Sequence, residues 1–170
     1  MANKESVYVL DSFAALAYLE GELSADRVRV ILQEAHAGRC QVFMSLINLG
    51  EVLYITEREQ GLTRAQAALA AVEQLPIKIL PATQQAVFAA AHIKAQHRVS
   101  YADAFAIAAA QAHGAAVVTG DPEFKRVKDS VKIEWLVKKS QSVKSPKTQL
   151  IDCLVDVDVR PLARDHADGQ

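Results

Sequence analysis

The chain has 170 residues, of which 51% are hydrophobic and 23% charged, enough for one compact core and too few for two independent enzymes. Nineteen lysines and arginines face 20 acidic residues, so the formal net charge of −1 excludes a general electrostatic pull on nucleic acid and confines any such contact to a local patch. Cys40 and Cys153 fit neither a CxxC nor a Cys/His zinc spacing, no secretory cleavage region precedes the first apolar run, and no apolar stretch approaches the ~20 residues of a membrane helix. The expectation is a reduced, cytoplasmic protein that does not engage the membrane.

Val7-Tyr8-Val9-Leu10 is a short unbroken apolar run ending in Asp11, the pattern of a strand buried on both faces. Helices are expected from Ser12 to Glu20, stopped by Gly21, and from Ser24 to Ala37, capped by Ser24 and ended by Gly38. Gln41 to Met44 forms a second strand, and Ser45 caps a helix over Leu46 to Gln60 with apolar residues at Leu46, Leu49 and Leu53. A helix over Thr63 to Gln74, a third strand over Ile77 to Leu80 between Pro76 and Pro81, and a helix over Thr83 to Gln96 continue the alternation. Ser100 to His113 is a helix closed by Gly114. Ala115 to Val118 is a fourth strand running into Thr119-Gly120-Asp121-Pro122, and Val131 to Trp135 an edge strand. Strictly alternating strands and helices predict a three-layer α/β/α fold with a central, mainly parallel sheet.

Beyond Leu136 the composition turns basic and serine-containing, with Lys138, Lys139, Lys144 and Lys147. A core domain over residues 1–137 and a basic linker and tail over 138–170, partly disordered, are expected.

In an open parallel sheet ligands gather beyond the carboxyl ends of the strands, and Asp11 and Asp121 fall at two such ends. Glu51 follows the second strand by one and a half helical turns, among Ile47, Tyr54 and Ile55, and Asp103 sits in the first turn after Ser100. Four carboxylates converging there would repel one another, and hard oxygen ligands suit Mg²⁺ or Mn²⁺, which polarise a phosphoryl oxygen and activate a bound water. Each acid also has a local reading. Asp11 and Asp121 suit helix caps, the latter followed by proline, and Ser100-Tyr101-Ala102-Asp103 matches a capping box with aspartate in the usual glutamate position. Glu51 is harder to explain locally, because an acid among apolar neighbours costs energy unless paired or bound to a cation. The five histidines form no zinc pair, and GxGxxG, GxxxxGK[ST] and GxSxG are all absent.

The segments VYVLDSFAALAYLEGE, SLINLGEVLYI, SYADAFAIAAAQAHGA and VVTGDPEFKRV resemble, in order and spacing, the successive signatures of PIN domains, with VapC-type toxins the nearest likeness. The resemblance runs from residue 7 to about residue 136. It implies that Asp11, Glu51 and Asp103 are the principal metal-site acids, Asp121 a more peripheral fourth, and Ser12 and Thr119 the hydroxyls beside the site. It further implies Mg²⁺- or Mn²⁺-dependent cleavage of RNA, a homodimer and inhibition by a cognate antitoxin. Lys125, Arg126 and Lys128 are cations after Asp121 that suit phosphates flanking a scissile bond, or simply a solvated face. Two other readings compete: a PIN-fold module that binds RNA or protein without toxin activity, and a phosphate-accepting receiver domain. The receiver reading is weakened because Asp11 has no adjacent acid.

Overall fold

The computed structural model describes residues 6–136, and the proposed linker and tail over 138–170 lie outside the described residues. Five strands form one sheet: β1 (Ser6–Leu10), β2 (Cys40–Ser45), β3 (Lys78–Leu80), β4 (Ala116–Thr119) and β5 (Lys132–Trp135). The spatial order is β3-β2-β1-β4-β5, and every neighbouring pair is parallel. The chain first winds outward from β1 to β3, then returns across β1 to lay down β4 and β5. The reversal leaves a crevice between the carboxyl ends of β1 and β4, the place where open α/β sheets bind ligands.

Six helices cover both faces: α1 (Ser12–Leu19), α2 (Asp26–His36), α3 (Leu46–Gln60), α4 (Leu62–Glu73), α5 (Gln84–Gln96) and α6 (Tyr101–His113). Strand alternation sends successive side chains to opposite layers. Val9, Phe43 and Val117 pack with Ile93, Phe105 and Ile107 of α5 and α6, while Leu10, Val42 and Val118 pack with α1 and with Val28 and Ile31 of α2. Met44 meets Leu49 and Val52 of α3 and Val72 of α4 in a third cluster. This is the expected three-layer α/β/α arrangement, fully parallel among the described strands.

Local signals set most element ends. Ser45, Thr83 and Ser100 cap α3, α5 and α6 through their side-chain oxygens, and Gly114 ends α6 in the left-handed conformation with φ 61°. Most element ends fall within one residue of their expected places, and one start differs by two: the helix expected from Ser24 begins only at Asp26, after a 3₁₀ turn over Leu23–Ala25. The physical reason is that the Ser24 hydroxyl donates to Glu22 at 2.9 Å instead of capping a helix. No helix among the described residues is long and apolar enough to cross a membrane.

Candidate active site

Asp11 and Thr119 each stand at the end of their strand, one residue beyond the paired Leu10 and Val118 and so side by side across the crevice. Asp11 is 1% exposed and caps α1, its Oδ1 accepting the Ala14 N–H at 2.7 Å. The Thr119 hydroxyl also bonds the Asp11 carboxyl, and its oxygen accepts the Asp121 N–H at 2.9 Å, so one threonine joins the two aspartate-bearing turns. Asp121 is half-buried and caps a 3₁₀ turn over Pro122–Val127, its Oδ1 accepting the Glu123 N–H at 2.8 Å.

Asp103 enters from the start of α6. The capping box forms as its sequence suggests: the Asp103 N–H donates to Ser100 Oγ at 3.0 Å, and the Ser100 N–H donates to Asp103 Oδ2 at 3.2 Å. The box uses one carboxylate oxygen, and the side chain is nonetheless buried and close enough to Asp11, Asp121 and Glu51 for their charges to interact. Glu51 comes from the second turn of α3, half-buried beside the fully buried Val52. The acids from these separate segments thus share one electrostatic neighbourhood at the carboxyl edge of the sheet.

That neighbourhood is costly for negative charge. Burial pushes the Asp11 carboxyl from its ordinary 3.8 up to about 7, against the opposing hydrogen bonds from Thr119 and Ala14 and with added repulsion from Asp103 and Asp121. Asp103 is raised for the same first reason, burial, with its Ser100 bonds opposing and the charges of Asp121 and Glu51 adding to it. No cation among the described residues forms an ion pair with Asp11, Glu51, Asp103 or Asp121. Nor, as they stand, are three or more His, Cys, Asp or Glu side chains of the described residues gathered closely enough to cage a metal ion.

Ser12, next to Asp11, behaves differently from Thr119. Its hydroxyl turns away from the carboxylates, donating to the Asn48 carbonyl at 3.3 Å and accepting from Asn48 Nδ2 at 3.1 Å. Asn48 itself was not among the residues singled out from the sequence. It is fully buried; its Nδ2 also donates to the Ala102 carbonyl at 3.1 Å, and its Oδ1 accepts from Ser45 Oγ at 2.6 Å. One amide therefore ties the turn carrying Asp11, the helix carrying Glu51 and the residue preceding Asp103. Its signal in the sequence is faint: an asparagine in the first turn of a helix, three residues after the Ser45 cap, where a capping box would have glutamate or glutamine.

Gly120 is the second feature absent from the sequence reading. A Cβ at this position would lie 2.3 Å from Phe13 Cε1, so the Phe13 ring packs directly on the backbone between Thr119 and Asp121. A glycine between a strand end and an acidic turn is a weak clue to such an approach.

A doubly wound parallel sheet with buried acids at its topological switch point defines the class of the molecule: an α/β domain with an acidic cluster at the carboxyl edge of its sheet. The PIN domain model matches residues 8–130, and the chain belongs to the PIN domain family. No curated protein matches the chain by sequence. Among solved structures, the chain is similar to the DNA-bound VapBC of Salmonella typhimurium, at 20% identity and a TM-score of 0.63, covering 78% of this chain and 99% of that one. It is similar to VapBC2 of Rickettsia felis bound to a promoter DNA fragment, at 19% identity and a TM-score of 0.60, covering 75% and 97%. It is also similar to VapC20 of Mycobacterium tuberculosis, a sarcin–ricin loop cleaving toxin, at 22% identity and a TM-score of 0.54, covering 71% and 93%. At these identities the likeness carries the fold.

Proposed function

We propose that this PIN domain is a metal-dependent endoribonuclease that hydrolyses RNA phosphodiester bonds and acts as the toxin of a cytoplasmic toxin–antitoxin pair. The observation that carries the proposal is Asp11, a carboxyl buried at the switch point, pushed up to about 7 and facing further acids instead of a cation. A protein gains nothing in stability from such a group, and perturbed acids in a crevice are a mark of chemistry.

The donor set is all carboxylate oxygen, the set preferred by Mg²⁺ or Mn²⁺. Asp11, Glu51 and Asp103 would hold the ion, with Asp121 at the periphery. When bound, the ion would supply Lewis-acid polarisation of a phosphoryl oxygen and would ease the loss of a proton from a water, making it the nucleophile for the phosphorus atom. Thr119 orients the Asp11 carboxyl and fixes the Asp121 turn through its own oxygen, while Ser12 and Asn48 hold the three supporting segments in register. Leu10 and Val118, the residues before Asp11 and Thr119 on their strands, are buried in one apolar cluster, which keeps the local dielectric low next to the acids.

Two neighbours of similar fold are VapBC assemblies on DNA and one is a toxin that cleaves an RNA loop, which supports an RNA substrate and an antitoxin partner for this chain. A homodimer is part of the same reading.

The test is incubation of the purified full chain with total RNA in Mg²⁺ or Mn²⁺, beside EDTA and an Asp11→Asn variant. Discrete fragments present only with metal and intact Asp11 are expected. A folded, metal-binding protein that binds RNA without cutting it would turn the reading toward a binding module.

A further inference from the structure

Beside the acid cluster lies a cavity of about 550 Å³ whose lining includes Lys94, His97, Arg98, Ser100, Glu123 and Arg126. Its walls are the end of α5 with the segment joining it to α6, which leads into Asp103 in the first turn of α6, and the 3₁₀ turn after β4, which Asp121 caps. The connection is by direct bonds. Ser100 forms the capping box with Asp103, and the Glu123 N–H donates to Asp121. The acid site and the cavity therefore share a wall.

The charge changes sign across that wall. With histidine neutral, Lys94, Arg98 and Arg126 against Glu123 leave two positive charges in excess, next to a cluster of uncompensated carboxylates. Two of the cations are held in place by the loop itself: Lys94 Nζ donates to the Val99 carbonyl at 2.6 Å, and Arg126 Nη1 donates to the Arg98 carbonyl at 2.9 Å. Each keeps further N–H donors, since an ammonium has three and a guanidinium five. The Arg126–Glu123 pair, at 3.6 Å and with both side chains about half exposed, is too loose to neutralise the guanidinium. Arg98 is exposed, and among the described residues its side chain has no hydrogen-bond or ion-pair partner.

We propose that this cavity is a subsite for the nucleic-acid backbone, in which Arg98 and Arg126, with Lys94, take a phosphate of the bound strand next to the one cleaved. The inference rests on the ribonuclease reading of the acid site and deepens it by giving the strand a path, across the Ser100–Asp103 wall toward the α5–α6 segment. Acids alone repel a polyanion, and cations fixed to the same two segments offset that repulsion locally in a chain whose overall charge is −1. A folded protein partner is the less favoured occupant, because the lining holds cations and polar groups and lacks the exposed aromatic anchors that carry protein interfaces.

The test measures binding of a short fluorescent oligouridylate to the full chain in Mg²⁺ as a function of salt, with Asp11→Asn as the parent so that nothing is cut. In that parent, Arg98→Ala with Arg126→Ala is expected to weaken binding about tenfold and to reduce the slope of log Kd against log salt by about 1.4, two phosphate contacts at ~0.7 each for a single strand. Lys78→Ala with Lys132→Ala removes the same charge from the first residues of β3 and β5, at the opposite end of the sheet, and should change the slope far less. Arg98→Glu alone makes the same two-unit change of charge, removes no intramolecular bond and should weaken binding to a similar extent, with circular dichroism unchanged. Equal slopes for the cavity pair and the remote pair would overturn the subsite while leaving the nuclease reading intact. A parent and wild type that neither bind nor cut RNA would overturn both.

Discussion

Asp11 and Ser12 are neighbours in the chain and both are buried, yet they belong to opposite kinds of polar site. Ser12 joins a neutral network with Ser45, Asn48 and the Ala102 carbonyl in which both Asn48 Nδ2 donors and its Oδ1 are engaged. Asp11 joins a group of like charges that no cation of the described residues neutralises. A satisfied buried network fixes geometry, whereas an unsatisfied buried charge costs stability and persists where it serves a ligand. The first site is the frame and the second is what the frame holds.

The most direct way to break the comparison is Asp11→Asn, which removes the charge and keeps a side chain able to cap α1. RNA cleavage should fall at least about a thousandfold, roughly 4 kcal/mol of transition-state stabilisation. In metal-free buffer at pH 8 the variant should be more stable than the parent by about 1–3 kcal/mol, because a desolvated, repelled carboxylate has gone. Urea unfolding measures this, and a variant less stable than the parent would mean that Asp11 is a structural cap.

The same charge makes stability depend on pH, with a sign that follows from the direction of the shift. The folded-state value of about 7 lies above the ordinary 3.8, so between those values the folded protein holds a proton that the unfolded chain has released. Metal-free stability therefore falls as pH rises toward 7 and levels off above it; from pH 5.5 to 8 the Asp11 contribution drops by about 2 kcal/mol. Asp103, also raised, acts in the same direction. A Mn²⁺ or Mg²⁺ ion bound as proposed would compete with that proton, so the gain in melting temperature on adding metal should be larger at pH 8 than at pH 5.5. Equal melting curves with and without metal at pH 8 would argue against a cation at these carboxylates.

The two regions differ in how much of each was readable from the chain. The strands announced themselves as apolar runs such as Val7–Leu10, and Asp11, Asp103 and Asp121 each sit at an element end that local signals mark, a strand terminus or a cap. Parallel alternation then places those ends on one edge. The frame was far less visible, because Asn48 acts through Ser12, 36 residues before it, and Ala102, 54 residues after it, and nothing local distinguishes it from any asparagine in a first helical turn. The pairing of Arg98 with Arg126 across the cavity is invisible for the same reason, although Arg126 stands in a basic cluster that sequence alone picks out. The start of α2 was misplaced because Ser24 looks like a cap and its hydroxyl found Glu22 instead.

Asn48→Ala tests the frame. It leaves the Ser12 and Ser45 hydroxyls and the Ala102 carbonyl without their shared partner, at a cost of about 2–3 kcal/mol of stability. A purely structural asparagine would leave the remaining folded enzyme fully active. A positioning role predicts weaker Mn²⁺ affinity and slower cleavage per folded molecule, measured by titration calorimetry and single-turnover assay below the melting transition. Asn48→Asp, similar in shape but lacking the two amide donors and bringing another negative charge toward the cluster, should be worse on both counts.

The smallest expected effect is at Gly120, where the frame meets the charged site through packing alone. An alanine there places its Cβ 2.3 Å from Phe13 Cε1 and 2.9 Å from Cζ, so the half-buried ring must swing outward or the Thr119–Asp121 turn must move. The contact is with the far end of a side chain, which limits the cost to about 1 kcal/mol, at the low end for overpacking. If the ring moves, cleavage is nearly unchanged; if the turn moves, Thr119 loses its hold on Asp11 and Asp121 and cleavage falls severalfold. Phe13→Leu separates the two outcomes. Added to Gly120→Ala it opens space at the clash and should restore both stability and rate, a coupling of about 1 kcal/mol in a double-mutant cycle. Additive losses would show that the ring and the glycine act independently, and that Thr119 keeps its geometry without Phe13 packed against it.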